Sequence, residues 1–264
     1  MPAARRVLVA VLAAALALPL GPASPASAEP LQASFAQLAN TIPANIGIAY
    51  APAGQNGAGT LGNLQTGVAW SSIKVPLAIA AMHANVANAQ DLAARAVTAS
   101  DNDAAEKLWS ELGPAPQAAQ QVQAVLRAGG DAGTAVESRR LRPEFSAFGQ
   151  TQWPLARQAV FAAHLPCMAV ASPVVSLMRN TVPDQRWGLA SLNVPSKAGW
   201  GPGRGGGYLV RQFGVVHAPA GDLGVALAAE PKDGSFESGI AALNQMTQWL
   251  SAHAAELPGG RCAG

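Results

Sequence analysis

The sequence predicts an α+β fold, in which an antiparallel sheet is flanked by terminal helices and carries an all-helical insertion. Apolar residues at helical spacing near both ends, over residues 31–42 and 239–253, predict the two terminal helices. Strand-like patterns also lie towards both ends, whereas the middle of the chain holds helical patterns. Because short connections favour antiparallel pairing and helices must cover a sheet face, we expect strands from both ends to share one sheet.

The individual elements follow from periodicity and from the Gly, Pro, Asn and Asp residues between them. Alternating or continuously apolar segments predict strands, the second of them a weak one, over residues 45–51, 60–70, 192–198, 208–218 and 222–230. Helical spacing predicts further helices from residue 71 onward and over residues 87–99, 104–112, 116–128 and 154–164. We therefore expect a single domain over residues 29–264, with a sheet part at 29–70 and 190–264 and a helical part at 71–189.

Residues 1–28 have the three parts of a secretory signal peptide. Two arginines precede an apolar run over residues 7–20, and small residues form a cleavage site at 26–28. The run is too short to span a bilayer as a helix, and no second run follows it. We therefore expect an exported protein, periplasmic, in the cell envelope or secreted, without stable insertion into a membrane.

The charge balance argues against partners that require a basic surface. The chain has 17 lysines and arginines against 15 aspartates and glutamates, and the predicted signal peptide contains two of the arginines. Residues 29–264 are therefore formally neutral, which argues against nucleic acid and against an anionic membrane as partner. We expect a monomer that acts on a small molecule.

The cysteines and histidines predict a disulfide and no metal site. Cys167 and Cys262 are the two cysteines, and an isolated pair in an exported protein is typical of a disulfide. The alternative, a catalytic cysteine, lacks a base motif near either residue. The four histidines show no metal-ligand spacing, so we expect no metal and no organic cofactor.

A serine and a lysine three residues apart form the first motif that carries chemistry. Ser71 and Lys74 stand at the start of a predicted helix, where positions i and i+3 share a face. A lysine in a partly buried cleft loses its proton more easily and then activates the serine as a nucleophile. The alternative is a helix-capping serine with a solvated lysine.

Two further motifs follow in order along the chain. The sequence Ser-Asp-Asn at residues 100–102 opens a predicted helix, and Lys-Ala-Gly at residues 197–199 ends a predicted strand. Taken singly they fit a helix cap and a surface lysine before a turn. In this order, however, the three motifs resemble the signature set of class A β-lactamases and penicillin-binding proteins (DD-peptidases), a superfamily of active-site serine hydrolases. The resemblance covers the mature chain and implies a β-lactamase/DD-peptidase-like fold with a reduced helical insertion.

The resemblance implies a role for each motif residue. Ser71 attacks the carbonyl group of a β-lactam or peptide and becomes acylated, and Lys74 takes its proton. Ser100 passes a proton to the departing nitrogen, while Asn102 orients the substrate amide and Lys74. Lys197 meets the substrate carboxylate in a charge-assisted contact.

The resemblance also implies that the strand carrying the Lys-Ala-Gly motif forms one edge of the substrate-binding site. The motif differs from the family pattern at one residue. Gly199 and Trp200 continue this edge, and the backbone N–H groups of Ser71 and Trp200 form the oxyanion hole. Ala198 stands where the family has Ser or Thr, so a hydroxyl that would help hold the carboxylate is missing. The lost hydrogen bond is worth about 1.5–3 kcal/mol. A competing Lys-Asp-Gly at residues 232–234 follows its strand instead of facing the pocket.

The loop that supplies the deacylation base in class A enzymes has no counterpart, because no E-x-x-L-N sequence is present. Glu137 and Glu144 stand in the corresponding region as candidate bases. The alternative for both is a solvated acid paired with Arg139, Arg140 or Arg142. Without a positioned carboxylate, acylation would be followed by slow attack of water.

Three functions therefore follow from the sequence. The first is an exported β-lactamase-like serine hydrolase that cleaves a β-lactam or a related amide through an acyl-enzyme on Ser71. The second is a cell-wall DD-peptidase acting on peptidoglycan stem peptides, which the missing loop favours. The third is a catalytically inactive envelope protein of the same fold that binds without turnover.

Overall fold

The computed structural model describes residues 28–203 and 205–263. Its centre is a five-stranded antiparallel sheet with the strand order β2-β1-β5-β4-β3. The strands are β1 (Ala44–Pro52), β2 (Gly59–Gly62), β3 (Ser196–Pro202), β4 (Tyr208–Ala218) and β5 (Gly221–Pro231). The predicted antiparallel sheet, built from both ends of the chain, is confirmed.

Helices cover both faces of this sheet. The terminal helices α1 (Ala28–Thr41) and α8 (Phe236–Ala252) pack on one face, as predicted. The helical part holds α2 (Lys74–His83), α3 (Ala89–Thr98), α4 (Asn102–Glu111), α5 (Ala115–Ala128), α6 (Leu155–His164) and α7 (Ser172–Met178). The first five of these are confirmed predictions. Helix α7 was not predicted, because its seven residues are too few for a periodic pattern.

Alternation along the strands builds two separate cores. In β1, Ile46 and Ile48 face the terminal helices, whereas Ala49 and Ala51 face the helical part. The small alanines on the second face let α6 lie close to the sheet. The core on the alanine face of β1 continues from α6 into the helices around α2. The sheet and the helical part therefore form one packed body.

The predicted strand over residues 60–70 is confirmed only as far as Gly62. Gly62 has a φ of 82°, a backbone conformation that favours glycine, and there the chain turns away from β1. It then runs antiparallel to residues 151–155, held by backbone hydrogen bonds of 2.7–2.9 Å. This second pairing positions the segment that leads into Ser71.

The predicted strand over residues 192–198 is displaced along the chain. A short 3-10 helix occupies Gly188–Leu192, and Asn193 has a φ of 56° that ends it. Strand β3 therefore begins at Ser196, and the Lys-Ala-Gly motif lies at the start of the strand, not at its end. Trp200 is consequently part of the strand, one residue beyond the motif.

The carboxyl-terminal tail is fastened to the body at two places. Cys167 and Cys262 form the predicted disulfide. Gly260 also pairs with Asp222 at the start of β5, through backbone hydrogen bonds of 2.9 and 3.0 Å. The tail thus links the end of α6 to the sheet.

The predicted signal peptide lies outside the described residues except for Ala28, with which α1 begins. Within residues 28–203 and 205–263, no single helix has the length and apolar character needed to cross a membrane. One pair of helices, Leu155–Cys167 and Ala169–Met178, meets that requirement together by length and composition only, with a bend of 94° between them.

Candidate active site

Ser71 lies in a 3-10 helix, Trp70–Ile73, that leads directly into α2. In a 3-10 helix the side chains at positions i and i+3 are aligned, so the serine and Lys74 lie on one side of the turn. Trp70 has a φ of 48°, an uncommon value for a residue with a side chain. Such a conformation persists only where the surrounding contacts enforce it, and here it precedes the candidate nucleophile.

Lys74 is buried, with 1% of its surface exposed. Its Nζ donates hydrogen bonds to the backbone oxygen of Ser100 (2.5 Å) and to Oδ1 of Asn102 (2.7 Å). Burial lowers the pKa of Lys74 to about 8, against the opposing effect of the negative charges of Asp101 and Glu106. A substantial fraction of this lysine is therefore neutral slightly above neutral pH, the form in which an amine accepts a proton.

The hydroxyl of Ser100 lies between two lysines. Lys197 Nζ donates to Ser100 Oγ at 3.0 Å, and Lys74 Nζ lies 3.5 Å from the same oxygen. Burial, and secondly the charge of Lys74, hold the pKa of Lys197 well below its usual value. Ser100 has a φ of 59°, and Asp101 after it caps α4 by accepting a hydrogen bond from Ala104 N. This cap turns the chain so that the serine points back at the lysines.

Strand β3 passes very close to the turn that contains Ser71. A Cβ atom on Gly199 would lie 2.6 Å from the oxygen of Ala69 and 2.8 Å from the backbone nitrogens of Ser71 and Ser72. Only glycine permits this approach, because any side chain would displace the strand or the turn. The approach brings the backbone of β3 beside the N–H group of Ser71, with Trp200 as the next residue.

A buried polar network lies beneath the turn. Ser72 Oγ donates to the oxygen of Ala69 and accepts a hydrogen bond of 2.9 Å from Nε2 of Gln158 on α6. Oε1 of Gln158 in turn accepts a hydrogen bond of 2.6 Å from the guanidinium of Arg211 on β4. Burial lowers the pKa of Arg211 to about 9, so this residue stays a cation at neutral pH. The network joins the sheet, α6 and the nucleophile turn through side chains that sequence analysis did not single out.

Ser71 opens into a cavity of about 430 Å³. Its lining includes the predicted residues Ser71, Lys74, Ser100, Asn102, Glu144 and Trp200. Lys197 lies behind Ser100 and reaches the site through that hydroxyl. The structure thus brings together the residues of all three motifs.

The two candidate deacylation bases have different surroundings. Glu137 does not line this cavity; its carboxylate is held by Arg139, whose hydrogen bond lowers the pKa of Glu137. Glu144 does line the cavity, but its side chain is 57% exposed and pairs with Arg142 at 3.3 Å. The predicted alternative, an acid paired with a neighbouring arginine, therefore describes the geometry of both.

The third motif differs from its expected arrangement in one side chain. Ala198 does not line the cavity; it is 5% exposed and packs in the core beneath the terminal helices. Lys197 and Gly199 point to the other face, as strand alternation requires. The competing Lys-Asp-Gly forms a turn after β5, where Asp233 accepts hydrogen bonds from Ser235 and Ser238 away from the cavity.

Two acidic residues of the cavity, Asp103 and Glu106 on α4, were not predicted from the sequence. A signal was present, because Glu106 follows Asn102 by four residues and such pairs share a helix face. The carboxylate forms an ion pair with Arg140, which also lines the cavity, at 2.8 Å.

Solved structures with the same fold include β-lactamases, among them class A β-lactamases. The chain is similar to the TLA-3 extended-spectrum β-lactamase (TM-score 0.70, 11% identity, 85% of this chain and 98% of that chain). A class A β-lactamase from Bacteroides cellulosilyticus gives a TM-score of 0.70 at 11% identity, over 85% of this chain and 96% of that one. A β-lactamase from Chitinophaga pinensis gives 0.68 at 15% identity, over 85% and 99%.

No protein-family model and no curated protein matches the sequence. The structural likeness nevertheless spans nearly the full length of each neighbour and includes the mixed sheet-and-helix architecture. The chain therefore has the β-lactamase/DD-peptidase-like fold that its three motifs predict.

Proposed function

We propose that the protein is a serine hydrolase that forms an acyl-enzyme on Ser71 with a β-lactam or a related amide. The observation that carries the proposal is the buried lysine of the Ser71 turn, whose pKa is lowered to about 8 and whose ammonium faces Ser100 and Asn102. Burying a cation is costly, and groups whose pKa is shifted in this way cluster at functional sites. A base beside a serine is the arrangement that activates a hydroxyl nucleophile.

The first half of the reaction follows from these positions. Neutral Lys74 takes the proton of Ser71 as the serine oxygen bonds to the substrate carbonyl carbon. The oxyanion that forms is held by the backbone N–H groups of Ser71 and Trp200, which the close approach at Gly199 supports. The carbon–nitrogen bond then breaks, the nitrogen takes the proton of Ser100, and Lys74 returns its proton to Ser100 across 3.5 Å.

The buried positive charges indicate a substrate with a carboxylate. Lys197 is 2% exposed, and its hydrogen bonds go to neutral oxygens, Ser100 Oγ and its neighbour Ala198 O, both at 3.0 Å. A substrate carboxylate bound beside Ser100, the residue through which Lys197 reaches the cavity, would supply a counter-charge. Both β-lactams and the stem peptides of peptidoglycan carry a carboxylate next to the reacting amide.

A DD-peptidase is the second candidate, favoured by the surroundings of the two predicted bases. Glu137 lies outside the cavity and Glu144 lies at its exposed rim. If neither carboxylate activates water, the acyl-enzyme persists, as in a penicillin-binding peptidase.

The test is the intact mass of the purified protein over time after addition of a penicillin. We expect an adduct of one penicillin, absent from Ser71→Ala and present in Ser110→Ala, which removes an exposed serine hydroxyl from α4. An adduct that disappears while penicillin is consumed indicates a β-lactamase, and one that persists indicates a peptidase. Absence of any adduct with several β-lactams would overturn the proposal in favour of an inactive binding protein.

A further inference from the structure

Glu106 supplies a carboxylate to the cavity that also contains the candidate nucleophile Ser71. It lies on α4 one turn after Asn102, and Asn102 binds the ammonium of Lys74. Both residues line the cavity into which Ser71 opens. The helix that positions the second motif therefore also presents a carboxylate to the same space.

One oxygen of this carboxylate is available. Arg140 donates to Oε1 at 2.8 Å, and no donor from residues 28–203 or 205–263 is hydrogen-bonded to Oε2. The side chain of Arg140 is 51% exposed and that of Glu106 is 34% exposed, so water screens their pairing. The ion pair with Arg140 engages Oε1, orients the carboxylate and leaves Oε2 available.

The carboxylate is also electrostatically close to the reacting groups. Asp101 and Glu106 are the two acids that raise the pKa of Lys74 against the effect of burial. The carboxylate of Asp101 is already occupied by the N–H of Ala104 and by the guanidinium of Arg95. Glu137 and Glu144 are not among the charges that shift the pKa of Lys74. Of the acids that act on the lysine, Glu106 is the one that faces the cavity with a free oxygen.

We propose that Glu106 is the general base that activates water to hydrolyse the acyl-enzyme on Ser71. The inference rests on the proposed function and adds the step that separates a β-lactamase from a penicillin-binding peptidase. It moves that role from the loop of Glu137 and Glu144 to helix α4.

The step balances with water as the only added reactant. A water molecule gives one proton to Oε2 of Glu106 as its oxygen bonds to the acyl carbon. The tetrahedral intermediate collapses, the bond between that carbon and the Ser71 oxygen breaks, and the proton on Glu106 passes to the serine oxygen. A carboxylic acid leaves, and both residues return to their starting state.

The test compares the formation and the loss of the penicilloyl adduct in Glu106→Gln and in the wild-type protein, by rapid quenching and intact mass. The substitution keeps the size of the side chain and removes the proton acceptor. We expect the adduct to form and its loss to slow about 10²–10⁴-fold, the usual effect of a missing general base. Glu111→Gln is the matched control, because it removes a carboxylate and an ion pair with Lys107 from the same helix outside the cavity. It is expected to release the acyl group at the wild-type rate.

Two competing acids are tested in the same way with Glu144→Gln and Asp103→Asn, since both line the cavity. Accumulation of the adduct in either of these variants, with normal release in Glu106→Gln, would overturn the inference. So would loss of acylation itself in Glu106→Gln. A wild-type adduct that never disappears would also overturn it, while leaving acylation of Ser71 intact as the proposed function. No wild-type adduct at all would overturn both.

Discussion

The protonation of the two lysines of the site depends on where the fold places them. Lys74 and Lys197 are both buried, and both direct their ammonium groups at the hydroxyl of Ser100. Removing a cation from water is unfavourable, and a second cation nearby increases the cost. Burial favours the neutral amine at both lysines, and at Lys197 the charge of Lys74 adds to this effect. The arrangement that destabilises the folded protein therefore also favours a neutral amine at moderate pH.

The rate of Ser71 acylation is therefore predicted to depend on pH through Lys74. The pKa of Lys74 is lowered to about 8, and the protonated lysine cannot accept a proton from serine. The acylation rate should rise about tenfold per pH unit well below pH 8 and level off above it, as the neutral fraction approaches one. Stopped-flow measurement of penicillin acylation between pH 6 and 9.5 checks this. A rate that is flat across that range would show that another group is the base.

At the scale of elements, the site depends on three elements meeting at one turn. Strand β3 contacts the Ser71 turn at Gly199. Gln158 of α6 hydrogen-bonds to Ser72 in this turn, and Arg211 of β4 hydrogen-bonds to Gln158. Arg211 also donates to the backbone oxygens of Gly67 and Val68, just before the turn. The candidate nucleophile is thus held by contacts with the sheet and α6 as well as by α2, into which its turn continues.

The approach of β3 predicts the effect of Gly199→Ala. The added methyl group would meet the oxygen of Ala69 and the nitrogens of Ser71 and Ser72 at less than 3 Å, so strand and turn must separate. Because these two segments form the proposed oxyanion hole, acylation should slow about 10²–10³-fold, the effect of losing one donor. The adduct assay measures this. Ala198→Gly, a change of the same size on the opposite face of the strand, is the control, and equal rates in the two variants would contradict the prediction.

The buried network predicts a loss of stability in Gln158→Leu. The substitution removes two hydrogen bonds, leaving a guanidinium N–H of Arg211 without its acceptor and Ser72 Oγ without its donor inside the core. Each unsatisfied buried group costs about 1–3 kcal/mol, so the free energy of unfolding should fall by about 2–6 kcal/mol. Urea denaturation measures it, with Gln120→Leu, an exposed glutamine on α5, as the control. A change below about 0.5 kcal/mol in Gln158→Leu would show that water replaces these bonds.

These contacts explain which features the sequence could predict. Ser71 and Lys74 were found because their spacing is local, whereas Lys197 lies 97 residues from Ser100 and was assigned only by resemblance. The Gln158–Ser72 contact spans 86 residues with no motif to mark it. Glu106 shares a helix face with Asn102, yet periodicity alone does not tell which face borders the cavity. The strand boundaries near residues 62 and 196 were misplaced because turns, not apolar runs, set them.

At the scale of the molecule, the two ends of the chain close one sheet. Strands β1 and β5 pair along nine residues, so the amino-terminal hairpin and the carboxyl-terminal hairpin are held by one another. The terminal helices cover one face together. Since both parts contribute to one sheet, unfolding of either end should disrupt the platform on which Ser71 rests.

The disulfide adds to this closure of the sheet, and we expect its removal to lower the stability of the protein. Cys167 and Cys262 are 95 residues apart in sequence, and the bond ties the tail beyond α8 to the end of α6. For a loop of about 100 residues the chain-entropy estimate is about 4.7 kcal/mol, and measured values are commonly about 2–4 kcal/mol. The variant with both cysteines changed to serine should therefore lose about 2–4 kcal/mol in urea denaturation.

The same variant should keep its acylation rate once folded, because neither cysteine lines the Ser71 cavity and Gln158 lies at the other end of α6. The adduct assay at low temperature separates this from stability. Equal stability of the oxidised wild type and the double variant would show that the backbone pairing of Gly260 with Asp222 suffices to hold the tail. A slowed acylation with unchanged stability would instead place the bond in control of α6, and through Gln158 of the nucleophile turn.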